Sequence, residues 1–150
     1  MFIPTLQRNV CICNVAQVEP LLLKTPKKWN VISICNPDHN PLQLDNAKSA
    51  FMLNLGDDTA ENLAQLKKLF AYYDQCQGDF LIHCSSGLSR SPAVFVILHL
   101  RAMAKKDYQL VVKTMQALRP VAKPDMFYIE LGLQALGLYG DKAKLRALLA

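Results

Sequence analysis

The apolar positions of this 150-residue chain recur with two periods, and the switches between them outline the elements. Residues 9–14 read as a short strand. Residues 15–24 read as a helix in which Pro20 must fall in the first turn or shorten it. The run Asn30-Val31-Ile32-Ser33-Ile34-Cys35 is a buried strand stopped by Asn36-Pro37. Residues 38–49 carry turn formers and read as a loop. Residues 51–55 form another strand, ended by Gly56-Asp57-Asp58. Leu63, Leu66, Leu69, Phe70 and Tyr73 stand at helical spacing, with Glu61, Gln65, Lys67 and Lys68 facing away. They make the clearest amphipathic helix, ended by Gln77-Gly78-Asp79. Phe80-Leu81-Ile82-His83 is a short apolar strand that runs straight into Cys84. Everything after it is helical in pattern. Pro92 suits a first turn, and 92–104 is apolar on nearly every side, which places that helix centrally. Asp107 caps a helix to Leu118, Arg119-Pro120 breaks it, and Pro124-Asp125 starts another to Leu136. Residues 141–150 form a short terminal helix. This order predicts an α/β fold: a single central sheet flanked by helices, with the C-terminal half mainly helical, in one domain over 1–150.

Composition narrows the classes. Hydrophobic residues make up 51% and charged residues 19%, which is globular rather than disordered. No apolar run reaches the roughly 18 residues of a membrane span. Met1-Phe2-Ile3-Pro4-Thr5 lacks a basic segment before a long apolar one, so the expected location is cytoplasmic, with no membrane partner. The net charge of +5 would steer anionic substrates. The cations come as doublets, not as a stripe interleaved with aromatics, and nucleic acid is not favoured. Five cysteines at irregular spacing do not make a disulfide framework. Cys11-x-Cys13 has no second pair at zinc spacing, so no metal is expected, and both thiols read as small hydrophobes on one strand face.

Candidate chemistry concentrates in His83-Cys84-Ser85-Ser86-Gly87-Leu88-Ser89-Arg90-Ser91, between a predicted strand and a predicted helix. Backbone amides at a helix start bind an anion, and successive loop amides curl into a nest around it. Gly87 lets the backbone turn where a Cβ would clash. Ser85, Ser86, Leu88 and Ser89 contribute amides more than side chains. Arg90 offers a planar fork for two phosphate oxygens. The same surroundings lower a thiol's pKa, so Cys84 is the candidate nucleophile, and Ser91 can donate to its sulfur. His83 either tunes the thiolate from behind or is a satisfied structural histidine.

This segment resembles the phosphate-binding loop of the cysteine-based protein tyrosine phosphatases, most of all the compact dual-specificity subgroup. The likeness extends loosely over 30–136. It implies a protein tyrosine phosphatase-like α/β fold, no cofactor, and a phosphocysteine intermediate. Low-molecular-weight phosphatases carry a similar loop, but at the N-terminus. The family also places an aspartate on a loop before the cysteine as general acid. Leu55-Gly56-Asp57-Asp58-Thr59 fits that place; the subgroup's Asp-Ser/Thr habit favours Asp58 over Asp57, although Asp58 or Thr59 would equally cap the next helix. Asp38 and Asp45 are runners-up. The subgroup's loop-supporting asparagine has no counterpart, since Asp125 stands in its stretch. Cys35 sits where some members hold a resolving cysteine; a buried core cysteine is the competing reading.

Members of this superfamily that act on inositol phosphates tend to carry a cation at a variable loop position. None is basic here, so the resemblance implies phosphorylated protein or peptide substrates, phosphotyrosine and, through the shallow cleft of a short chain, phosphoserine and phosphothreonine. The competing readings are a phosphatase of RNA 5′ ends or small phosphorylated metabolites, a rhodanese-type sulfur transferase, and a catalytically silent phosphate-binding module.

Overall fold

The computed structural model describes residues 1–35 and 42–150. The expected stop at Asn36-Pro37 and the runner-up Asp38 lie outside the described residues. Among these residues the strands are β1 (Phe2–Ile3), β2 (Arg8–Asn14), β3 (Trp29–Ile34), β4 (Ser49–Met52) and β5 (Asp79–Cys84). The helices are α1 (Val15–Lys24), α2 (Thr59–Gln75), α3 (Arg90–Ala102), α4 (Tyr108–Leu118), α5 (Met126–Ala135) and α6 (Lys142–Leu149). One five-stranded sheet runs in the order β1-β2-β5-β3-β4. Only β1 is antiparallel to its neighbour.

Period-two alternation sorts the strand residues onto two faces. Val10, Ile12, Ile32, Ile34, Phe80, Ile82 and Cys84 pack with the helices α2 to α6. Cys13, Val31 and Leu81 pack instead with Val18 and Leu22 of α1, and Cys11 lies against the same cluster. Both thiols therefore sit on one strand face. The sheet carries α1 on one side and the remaining helices on the other. Residues 91–100 of α3 are all buried, as their apolar circumference requires.

Three expectations need correction. Pro20 is the sixth residue of α1, and the helix is not shortened. The ring is exposed and removes one backbone bond. A capping box between Asn14 and Gln17 and the buried anchors Val18 and Leu22 hold the helix around it. Strand β4 begins two residues before the predicted 51, because its parallel register with β3 runs from Asn30↔Ser49 to Ser33↔Met52. A last rung from Leu53 N to Ser33 O (2.9 Å) ends the pairing, and Leu55 is not in a strand. In α2 the buried face includes Asn62, while Leu63 is only half-buried. The strand β1 at the N-terminus had no sequence signal beyond two apolar residues.

Register places the chemistry. Asn14 of β2 and Ile34 of β3 both lie level with Cys84 of β5. Three parallel strands thus end together, and the loop after β5 emerges at the carboxyl edge of the sheet, where open α/β sheets bind ligands. Among the described residues no helix is long and apolar enough to cross a membrane.

Candidate active site

Residues 85–89 join the end of β5 to the start of α3. The turn is forced by its neighbour. Gly87 has φ +71°, and a Cβ there would lie 2.6 Å from the Cys13 carbonyl carbon and 2.7 Å from Asn14 N. Glycine is required both by the left-handed backbone and by the end of β2 pressing on it.

The loop carbonyls are engaged with the scaffold. Ser85 O accepts from Val15 N (3.3 Å), and Leu88 O accepts from Lys123 N (2.8 Å). Ser89 O accepts from Ala93 N (3.3 Å) and Asp125 N (3.0 Å). With the carbonyls held by the scaffold, amides are left to converge on the sulfur. Gly87 N donates to Cys84 Sγ at 3.2 Å, and Ser91 Oγ lies 3.2 Å from it. Burial pushes the Cys84 thiol up, but the Ser91 hydroxyl and the amides of Ser91, Ser89 and Gly87 outweigh it. The net result is about 7, below the ordinary 9.0, so the thiolate is well populated at neutral pH. Cys84 is buried (1% exposed) beneath an exposed rim of Ser85 and Ser86. Arg90 Nη2 donates to Ser85 Oγ (3.2 Å), which brings the guanidinium across the mouth of the loop. Ser86 Oγ accepts from Leu88 N (3.1 Å), and Leu88 and Ser89 are half-buried. The structure thus brings together every residue singled out in the loop.

The segment before α5 braces this loop through its backbone, as the bonds from Lys123 N and Asp125 N show. The Asp125 side chain does a separate job and caps α5 by accepting from Tyr128 N (3.0 Å). Loop support therefore does not need an asparagine at this position.

His83 is fully buried on the opposite sheet face from Cys84, beside Cys13 and Ser33 in register. Burial lowers it to about 4, so the ring is neutral at physiological pH. Its Nδ1 lies 3.7 Å from Cys35 Sγ, and its Nε2 has no partner among the described residues. Burial pushes the Cys35 thiol up. Cys35 thus meets His83, and it lies close enough to Cys84 and Arg90 for their charges to act on its thiol.

The aspartates separate. Asp58 is the N-cap of α2, and its Oδ1 accepts from Glu61 N (3.1 Å). Asp57 is exposed and is not used to cap the helix. Asp45 is ruled out as an acid. Lys27 Nζ donates to its carbonyl, and the adjoining Asn46 O accepts from Lys27 N (2.7 Å). That places it before the starts of β3 and β4, at the opposite edge of the sheet from Cys84.

Two residues that sequence reasoning missed hold the aspartate loop. Asn62 is 3% exposed; its Oδ1 accepts from Gly56 N (2.8 Å) and its Nδ2 donates to Gly56 O (2.8 Å). The only available signal was an asparagine at a buried helical position. Tyr128 is 6% exposed, and its hydroxyl lies near the Leu55 backbone and the Arg90 guanidinium. Burial pushes this phenol up, while the two contacts oppose the shift. It therefore sits between the aspartate loop and the phosphate loop. Among the described residues no group of three or more His, Cys, Asp or Glu is placed to hold a metal.

No protein-family model matches the chain, and no curated protein matches it in sequence. Solved structures do match. The crystal structure of DUSP15 aligns with a TM-score of 0.64 at 20% identity, covering 99% of this chain and 92% of that one. The chain has the fold of the compact, dual-specificity-like tyrosine phosphatases. Human DUSP28 aligns with a TM-score of 0.62 at 19% identity over 90% of each chain. The Yvh1 phosphatase domain from Chaetomium thermophilum aligns at 0.61 and 15% identity, covering 85% of this chain and 91% of that one. Likeness at these identities establishes architecture; the chemistry rests on the geometry of the loop.

Proposed function

We propose that this protein is a phosphatase that hydrolyses phosphorylated proteins or peptides through a phosphocysteine on Cys84. The carrying observation is a buried Cys84 sulfur that accepts from Gly87 N and lies 3.2 Å from Ser91 Oγ, surroundings that hold its thiol below the ordinary value. A sulfur held this way is an ionised nucleophile inside an anion-binding nest.

In the first step the Cys84 thiolate attacks phosphorus as the P–O bond to the substrate oxygen breaks. That oxygen takes a proton from a carboxylic acid. In the second, a water attacks the phosphocysteine and gives its proton to the same carboxylate. The S–P bond breaks, phosphate leaves, and Ser91 stabilises the returning thiolate. Arg90 and the loop amides hold the equatorial oxygens throughout.

The acid comes from the Asp57–Asp58 pair. Sequence habit favours Asp58, but its carboxylate accepts the Glu61 backbone amide, which turns it toward the helix. We therefore assign the proton to Asp57 and the helix cap to Asp58. Phosphotyrosine is the primary substrate class, and an exposed rim at Ser85 and Ser86 fits phosphoserine and phosphothreonine as well.

The test is hydrolysis of para-nitrophenyl phosphate and of a phosphotyrosine peptide by the wild type and Cys84→Ser. We expect Cys84→Ser to lose at least about a thousandfold in kcat while still binding phosphate. Turnover that survives the substitution overturns the reading. Peptide binding without wild-type turnover would instead identify a silent phosphate reader.

A further inference from the structure

Far from the catalytic loop, α4 and α6 enclose two adjoining concavities of about 690 and 220 Å³. They share Gln109 and Leu148, so together they form one elongated groove. The thirteen residues of α3 separate it from Arg90, roughly 20 Å along that helix.

Four lysines line the groove: Lys105, Lys106 and Lys144 at one end, and Lys113 farther along α4. None of the four is in an ion pair among the described residues. The nearby carboxylates have other uses. Asp107 caps α4 by accepting from Leu110 N (3.0 Å), and Asp141 accepts from the Tyr108 hydroxyl (2.5 Å). Lys106 is fixed by donating to the carbonyls of Leu100 (2.9 Å) and Met103, where α3 ends. Ala147 and Leu148 add apolar surface between the cations.

We infer that this groove is a docking site for an acidic peptide segment of a protein partner, carrying carboxylates at short spacing around an apolar residue. Charge complementarity selects an anionic occupant. Shape then selects among anions. The groove follows α4 over 108–116, about 12 Å, which suits roughly four residues of extended chain. A concavity of this form does not lie flat on a bilayer. Its aromatic residue, Tyr108, is 4% exposed and offers no free face for stacking a nucleic-acid base. That such a partner is also a phosphoprotein substrate of the Cys84 site rests on the catalytic reading above; the binding itself does not.

The experiment is fluorescence anisotropy of a labelled, unphosphorylated hexapeptide of alternating glutamate and leucine, against wild type, Lys105→Glu/Lys144→Glu and Lys113→Glu. Phosphatidylserine vesicles and a single-stranded RNA serve as competitors. The expected result is saturable binding weakened at least tenfold in the double variant and less in Lys113→Glu. Binding should also weaken steeply with added salt. Turnover of para-nitrophenyl phosphate and the melting temperature should stay unchanged in both variants. Equal binding by all three proteins overturns the inference, as does binding that vesicles or RNA displace in preference to the unlabelled peptide. Because the probe carries no phosphate, failure here leaves the catalytic reading intact, and failure of catalysis leaves the groove intact.

Discussion

The loop of Cys84 and the loop of Asp57 are expected to act on the same substrate, yet they are built in opposite ways. The first is determined from every side. The end of β2 forces Gly87, four loop carbonyl bonds tie it to α1, α3 and the segment before α5, and its nucleophile is 1% exposed. The second is exposed over 56–58 and is fixed chiefly by Asn62 on Gly56, with the Tyr128 hydroxyl near Leu55. A nucleophile gains from rigidity, because its pKa depends on converging donors. A proton donor has to reach a leaving oxygen that differs between substrates, and a lightly tethered loop allows that.

The sharpest way to break this comparison is at the two aspartates. Asp57→Asn is expected to lower kcat by about a hundredfold or more on a phosphotyrosine peptide, in the range typical of general acids. Asp58→Asn is expected to leave kcat within about threefold, because asparagine caps a helix as well as aspartate does. Asp58→Ala should lower stability by about 1 kcal/mol through the lost cap. If kcat collapses in Asp58→Asn and not in Asp57→Asn, the assignment reverses and the cap must open during catalysis. Steady-state kinetics and thermal melts of the three variants decide it.

The phosphate loop can be loosened from within by Ser91→Ala. With Cys84 near 7, kcat/KM should rise with pH through about 7 on its acidic side, as protonated thiol gives way to thiolate. The Ser91 hydroxyl is the largest single influence lowering this pKa. Its removal should move that limb to higher pH, and each unit moved lowers the thiolate fraction below it by roughly tenfold. A pH–rate profile of the variant that superimposes on wild type would show that the amides alone set the pKa.

The two loops also differ in how much the sequence reveals. The phosphate loop was legible because its demands are local. A strand must deliver the cysteine, one position must be glycine, and a helix must start at the arginine; all three leave marks within nine residues. The succession of strands and helices from β2 onward was legible from periodicity for the same reason. The start of β4 was not, because pairing with β3 fixes it, and neither was Pro20, whose position inside α1 depends on tertiary anchors and a capping box. The choice between Asp57 and Asp58 was illegible because adjacent carboxylates have one chemistry until a helix amide takes one of them. Tyr128 and Asn62 were missed because their partners, Arg90 and Leu55 for one and Gly56 for the other, are brought to them only by the fold.

Tyr128 offers the smallest effect and the most selective one. Its hydroxyl lies near the Leu55 backbone, two residues before Asp57, and near the Arg90 guanidinium, which makes it a candidate positioning residue between the two loops. Tyr128→Phe keeps the buried ring and removes only that link. Weak polar contacts of a neutral hydroxyl are each worth no more than about 1 kcal/mol, which sets a loss of a few fold rather than hundreds. The loss should depend on the leaving group. A nitrophenolate departs without much help from an acid, so para-nitrophenyl phosphate turnover should barely change. Phenyl phosphate and phosphotyrosine peptides need the proton, and their kcat should fall about three- to tenfold with KM nearly constant. A purely structural role would lower both substrates equally or lower only the melting temperature. Equal rates for both substrates in variant and wild type would mean that Asn62 alone keeps the aspartate loop in place.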